Sequence, residues 1–219
     1  MNVSFIQHSP SGSGGLIAEY LAERTSAEIK KFHSNRMAES SEKIFQSDLV
    51  VVLGSPHGVY ETHIPWIAEQ RQLMRDLLDR SVPVFGVCFG SQLLATAASG
   101  DVKASGNFHL GWGNNDVAAA AIWQGPWLRW HGDYISLPSS VEVLASAGGV
   151  VQAFHYGSAV GVQFHPEATS DIMRGWASDA KLGGERAERA SAAIEYYEKN
   201  SDLIRERSYA LFDHVLGNL

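Results

Sequence analysis

The run Asp48–Gly54, DLVVVLG, sets the tightest limit on how this 219-residue chain can fold. Side chains in a strand point alternately to opposite faces, so a near-continuous apolar run fits a central strand covered on both sides. Val3–Gln7 and the stretch VPVFGVC (Val82–Cys88) read the same way. Helix-period segments separate these runs. GLIAEYLAER (Gly15–Arg24) follows a Gly/Ser loop. PWIAEQRQLMRDLLDR (Pro65–Arg80) carries apolar residues at 66, 67, 73, 74, 77 and 78, with proline in its first turn, as an amphipathic helix does. GSQLLATAASG follows Val82–Cys88 and ends at Gly100. This alternation predicts an α/β fold with a mostly parallel central sheet and helices on both faces, in three layers.

The middle of the chain changes character. VAAAAIW, WLRWH, VEVLAS, VVQAF and AVGVQF, between Val117 and Phe164, are short strand candidates separated by turn signals. They predict an antiparallel strand group joined to the parallel sheet. From Thr169 onward the pattern is helical: GGERAERASAAIEYYEKN is charged and expected on the surface, and LIRERSYALFDHVLG has an apolar stripe. No repeat or linker interrupts the chain, so residues 1–219 are expected to form a single domain.

Composition removes several classes of function. A net charge of −7 argues against nucleic-acid and anionic-membrane partners, which favour clustered Lys and Arg. No apolar stretch is long enough to span a bilayer, and MNVSFIQHSPSG lacks the basic start of a signal peptide. The expected location is the cytoplasm, where a lone thiol stays reduced. The single cysteine, Cys88, excludes an internal disulfide and any metal site built on paired cysteines.

Cys88 lies in Gly86-Val87-Cys88-Phe89-Gly90, at a strand-to-helix junction. An isolated free cysteine is more often a small buried hydrophobe. Here the flanking glycines match the spacing of a nucleophile elbow, a sharp turn that exposes the side chain beyond the strand end. The helix N-terminus behind it offers partial positive charge and free N–H groups, suited to a thiolate and to a developing oxyanion. A thiol nucleophile needs a base, and the base an orienting group. His165 closes the apolar run AVGVQF, Pro166 stops the strand, and Glu167 follows. Alone, HPE reads as an ordinary strand-end turn. At the end of a parallel strand, His165 would share the carboxyl-end edge of the sheet with Cys88.

These two stretches, GVCFGSQLLA and GVQFHPEA, resemble those of the class I glutamine amidotransferases. VVVLGSPHGVYETHIPW, HLGW, WHGDYISLPSSVEVLASA and VQAFHYGSAVGVQFHPE resemble, in order, the branch related to the glutaminase domain of GMP synthase. The resemblance implies a flavodoxin-like three-layer α/β fold and a Cys–His–Glu triad at Cys88, His165 and Glu167, which cleaves a γ-glutamyl amide through a thioester and releases glutamate and ammonia. It implies an oxyanion hole of backbone N–H groups at Phe89 and at Ser55 or Gly54. Gln92, His131 and Gly132 are the candidate substrate contacts. The family usually has Gly where Ser55 stands and Leu where Phe89 stands, and both positions act through the backbone. Ser91 and the Ser99-Gly100-Asp101 stretch are further departures.

Other signals are weaker. SPSGSGG (Ser9–Gly15) could cradle a phosphate, but position 17 is Ile and no G-x-x-x-x-G-K-[ST] occurs, so a plain loop is the better reading. No cofactor and no metal are expected. His109, His131 and Asp133 make a weak metal set; a hydrogen-bonded strand end is favoured. Trp123, Trp127 and Trp130 could stack a base, though core positions suit an acidic chain better. His57, Tyr60 and Trp66 are expected at the pocket mouth. The expected partner is glutamine or another γ-glutamyl compound. Three readings follow: a glutaminase feeding a separately encoded synthetase, an independent γ-glutamyl peptidase or hydrolase, and a non-enzymatic regulatory relative.

Overall fold

The computed structural model describes residues 1–34 and 40–217. One sheet of eight strands organises it. In chain order its strands are β1 (Asn2–Gln7), β2 (Glu28–His33), β3 (Leu49–Val52), β4 (Val84–Val87), β6 (Val117–Ala118), β8 (Glu142–Ala147), β9 (Val150–Tyr156) and β10 (Ala159–Val162). The spatial order is β2-β1-β3-β4-β10-β9-β8-β6. The first five are parallel; β9, β8 and β6 continue the sheet antiparallel.

The apolar runs bury both faces, as their composition requires. Leu49, Val51, Phe85 and Val87 point to one side, against α1 (Gly15–Arg24) and the second half of α6 (Gly184–Leu216). Val50, Val52 and Val84 point to the other, against α3 (Pro65–Asp79) and α4 (Phe89–Ala97). The result is the expected three-layer α/β arrangement with a mostly parallel sheet. The short α2 (Ser41–Phe45) adds Ile44 to the second face.

Several local expectations are corrected. The antiparallel group is not one unit: β5 (Asp101–Gly113) and β7 (Trp127–Ser136) pair with each other as a separate two-stranded ribbon. Neither β2 nor β5 has a clean apolar period, so neither was legible as a strand. VAAAAIW is not a strand over its length. Only Val117–Ala118 pairs, and Ala121–Trp123 is a 3-10 turn. Alanine has little preference for a strand, and the turn instead drives Trp123 into the core beside His214 of α6. Strand β10 stops at Val162, before Gln163, Phe164 and His165. The two C-terminal helical patterns are joined in α6 across a kink at Asn200, where φ is −130°.

The ribbon is fixed to the end of β10 by stacked aromatics. Trp127 lies 4.7 Å from Phe164 with an 8° interplanar angle, and its indole N–H donates to the Trp123 carbonyl at 3.2 Å. The backbone N–H of His165 donates to the Leu128 carbonyl at 2.9 Å. The path to His165 therefore depends on Trp127. Trp127→Ala should destabilise the fold by about 3–5 kcal/mol, the usual cost of deleting a buried tryptophan. Urea unfolding monitored by circular dichroism measures this, and a loss under about 1 kcal/mol would show that the stack holds nothing in place.

Candidate active site

The carboxyl ends of β1, β3, β4 and β10 meet at one edge of the sheet, where open α/β folds place their sites. Cys88 sits at the β4–α4 junction with φ 51° and ψ −103°, a strained conformation for a residue with a side chain. Its N–H donates to the Val162 carbonyl at 2.7 Å, which pins the elbow to β10. The flanking glycines are sterically required. A Cβ on Gly90 would stand 2.1 Å from the Val52 carbonyl oxygen, and one on Gly86 would stand 2.7 Å from the Gly90 backbone. Ser91 donates its hydroxyl to the Cys88 carbonyl at 2.7 Å and so braces the turn.

His165 and Glu167 lie on the irregular segment after β10, and both are buried. His165 Nδ1 donates to Glu167 Oε1 at 2.8 Å. Nε2, the other ring nitrogen, faces the Cys88 sulfur. Burial is the largest single influence on the imidazole and pulls its pKa down. The charges of Glu167 and Cys88 with their hydrogen bonds outweigh it, and the pKa rises to about 10. The structure thus brings the three triad candidates together. Trp176, on α5 (Ser170–Asp179), covers the His165 ring at 4.6 Å and in turn meets Trp130 at 5.5 Å.

The Glu167 segment explains the glycine-rich loop before α1. The N–H of Leu16, in the first turn of α1, donates to the Glu167 carbonyl at 3.0 Å. Gly15 has φ +43°, and a Cβ there would fall 2.1 Å from that carbonyl oxygen. The glycine therefore serves close approach to the Glu167 segment, and this helix N-terminus is already engaged.

Around Cys88 runs a chain of polar side chains. Gln163 donates to the Cys88 sulfur at 3.5 Å, and Gln92 donates to Gln163 Oε1 at 3.4 Å. Gln92 also reaches Asp133. Asp133 accepts from the exposed Tyr60 hydroxyl at 2.9 Å, and burial raises its pKa. His131 Nδ1 donates to the Asp133 carbonyl at 2.8 Å. Burial lowers the His131 pKa to about 3, so Nε2 is a free acceptor. Its ring stacks on His109 at 5.1 Å. Gly132 lies between His131 and Asp133 in the chain, beside Phe108. Gln92 Oε1 and Glu167 Oε2 are also buried without a hydrogen bond. Unpaired buried atoms cost about 1–3 kcal/mol each, so their clustering marks a site kept open for a polar ligand.

Gly54 and Ser55 follow β3. A Cβ on Gly54 would lie 3.2 Å from His165 Cε1 and 3.7 Å from Cys88 Cβ, so this peptide borders both side chains. The N–H of Phe89, first residue of α4, has no acceptor within its helix. Among the described residues the Ser55 N–H makes no hydrogen bond either. Of the mouth candidates, His57 pairs with Glu61 at 2.9 Å, and Trp66 packs against Phe89 at 5.8 Å. Trp123 and Trp127 belong to the core. Among the described residues, no three His, Cys, Asp or Glu side chains gather as metal ligands. No helix there is long and apolar enough to cross a membrane. Sequence reading missed Gln163, and it saw Asp133 only as a weak metal ligand. Gln163 stands two residues before His165, but nothing in a strand-end glutamine signals contact with a sulfur.

The family model described as Glutamine amidotransferase class-I matches residues 13–175. The chain is 36% identical over 135 residues to the glutamine-hydrolysing GMP synthase of Mycolicibacterium paratuberculosis, covering 57% of this chain and 24% of that protein. It is 21% identical over 207 residues to a glutamine amidotransferase-like protein of Acanthamoeba polyphaga mimivirus, covering 94% and 93% of the two chains. The chain spans about a quarter of the length of the GMP synthases it matches. Its fold is similar to a glutamine amidotransferase crystal structure from Thermotoga maritima, with TM-score 0.81 and 23% identity over 98% of this chain and 97% of that one. A second such structure, from Methylobacillus flagellatus, gives TM-score 0.79 and 22% identity over 100% and 95%.

The coupling of His165 to its neighbours is directly measurable. By NMR of labelled histidine, His165 should stay protonated through neutral pH and titrate near 10. Glu167→Gln removes a charge that favours the imidazolium, so the titration should move to lower pH. A neutral His165 at neutral pH in the unaltered protein would contradict the arrangement.

Proposed function

The chain belongs to the class-I glutamine amidotransferase family, and from that membership we propose that it hydrolyses a γ-glutamyl amide, with Cys88 as nucleophile and glutamate and ammonia as products. The observation that carries this reading is the His165–Glu167 hydrogen bond at 2.8 Å, buried beside the strained Cys88 elbow. A buried carboxylate bound to an imidazole that feels a thiol is the arrangement nucleophilic acyl transfer requires.

In the reaction, the Cys88 sulfur bonds to the substrate's γ-carbonyl carbon, and the carbonyl π electrons move onto oxygen. The thiol proton resides on His165 Nε2. The N–H groups of Phe89 and of Ser55 or Gly54 receive the oxyanion. As the carbonyl re-forms, the C–N bond breaks, and His165 delivers its proton to the departing nitrogen. Ammonia leaves a γ-glutamyl thioester. His165 then takes a proton from water, and the hydroxyl attacks the thioester carbon. The C–S bond breaks, and glutamate departs. Glu167 holds the imidazole in the tautomer that aims Nε2 at the sulfur and stabilises its charge.

Recognition falls to the polar chain. The Asp133 carboxylate, half-buried and close to Gln92, is suited to the α-ammonium of a γ-glutamyl group. Gln92 Oε1 and His131 Nε2 supply acceptors beside it. The ammonia is proposed to serve a synthetase reaction, because the matched region is shared with glutamine-hydrolysing GMP synthases.

Cys88→Ala should lower kcat/KM for γ-glutamyl amides by about 10⁴-fold or more while leaving the unfolding curve unchanged. His165→Ala should come close to it. Assays on glutamine and on γ-glutamyl peptides read both variants. Retained activity in Cys88→Ala would end the proposal, and turnover confined to peptides would favour an independent γ-glutamyl hydrolase. Asp133→Asn should raise KM by about tenfold to a hundredfold, the worth of one charged hydrogen bond, with a much smaller change in kcat. An unaltered KM would remove Asp133 from the substrate site.

A further inference from the structure

His8 directly follows β1 and precedes the first residue that the family model matches. Its ring stands between the two backbone segments assigned above to the oxyanion. Nδ1 is 3.1 Å from the Gly54 carbonyl oxygen, and Nε2 is 2.8 Å from the side-chain amide of Gln70 on α3. The ring meets Phe89 edge-on at 4.8 Å and Trp66 at 5.4 Å. One imidazole therefore touches both walls, the Gly54–Ser55 peptide and Phe89.

Hydrogen-bond accounting assigns the tautomer. A carbonyl oxygen only accepts, so Nδ1 must carry a proton. His8 keeps some surface exposure, but dense packing around the ring is the largest influence on its pKa. Burial, aided by His57, lowers that pKa to about 4 against the opposing effect of its own hydrogen bonds. The ring is then neutral, and Nε2 must accept. Its partner on Gln70 must be the amide NH2. With the oxygen placed toward His8, the NH2 of buried Gln70 is left with no hydrogen bond. Turning that amide over gives Nε2 and the NH2 each other as partners and leaves Gln70 Oε1 in the unpartnered place.

The consequence is directional. In a trans peptide the C=O and the following N–H point opposite ways. Holding the Gly54 carbonyl toward His8 turns the Ser55 N–H away from it, and the same peptide borders His165 and Cys88. We infer that His8 is a positioning residue for the oxyanion hole: its Nδ1–H locks the Gly54–Ser55 peptide, and its ring buttresses Phe89. Both donors are thus oriented before substrate arrives. The role rests on the γ-glutamyl hydrolysis proposed above. His8 touches no reacting atom, and the oxyanion exists only after attack. Its loss should therefore lower kcat and leave KM nearly unchanged.

Two independent measurements test this. NMR of labelled histidine should find His8 as the Nδ1–H tautomer, neutral across the range where an ordinary histidine titrates. An Nε2–H tautomer or an imidazolium there overturns the inference. In kinetics, His8→Leu should reduce kcat for glutamine by about 10- to 10³-fold, up to the loss of one oxyanion donor, at near-constant KM. His8→Asn, whose amide nitrogen can occupy the place of Nδ1, should recover most of that loss. Alkylation of Cys88 by iodoacetamide forms no oxyanion and should keep its rate in both variants. If His8→Leu retains the wild-type kcat, or if its alkylation rate falls in step with kcat, the positioning role is wrong while hydrolysis stands. A wild-type protein inert toward every γ-glutamyl amide overturns the hydrolysis reading and the positioning role together.

Discussion

The hydrogen bond between His165 and Glu167 depends on a short irregular segment, Gln163–Ala168, that is buried throughout without being a strand or a helix. Buried backbone must find partners for its N–H and C=O groups. This segment finds them in three distant places. Gln163 bonds to the Gln152 carbonyl on β9, His165 to the Leu128 carbonyl on β7, and the Glu167 carbonyl receives Leu16 N–H from α1. Phe164 adds its stack on Trp127. The main sheet, the ribbon and the first helix thus converge on six residues. The imidazole and its carboxylate are fixed because each neighbour on the segment is fixed by a different part of the fold.

The elbow is set by exclusion. Gly90 packs against the Val52 carbonyl and Gly86 against the Gly90 backbone, so close that side chains at either place would push β3 and β4 away from α4. The strain at Cys88 is held by that packing, by its bond to Val162 and by the Ser91 hydroxyl. Strained residues persist only where their surroundings over-determine them. Here the over-determination comes from the apolar strands on both sides. Stability of the core and the placement of the buried sulfur are one feature of the packing.

Polar groups at the site are arranged with the opposite logic. Gln163, Gln92, Asp133 and Tyr60 form a line of contacts leading outward from the sulfur, yet Gln92 Oε1, His131 Nε2 and Glu167 Oε2 stay unpaired. In a low-dielectric site an unpaired dipole costs stability and strengthens whatever it later binds. The core carries that cost, since its apolar runs are buried on both faces of the sheet.

The alternation of valine-rich runs with amphipathic helices determined the layered α/β fold, because burial on both faces leaves a strand no other place. The Gly-x-Cys-x-Gly elbow was legible for a similar reason, as a local geometry that few residue types satisfy, and the His-Pro-Glu turn gained meaning only when set beside it. What stayed hidden depended on residues meeting across long distances in the chain. The ribbon strand Asp101–Gly113 has no clean period and is defined by its partner Trp127–Ser136. The alanines of Val117–Trp123 fit strand or turn, and the core beneath Trp123 chose the turn. Gln163 on the sulfur, Asp133 beside Gln92 and His8 on Gly54 are ordinary polar residues in the sequence. Their places are fixed by packing, because a side chain without a local motif takes its role from whatever the fold sets against it.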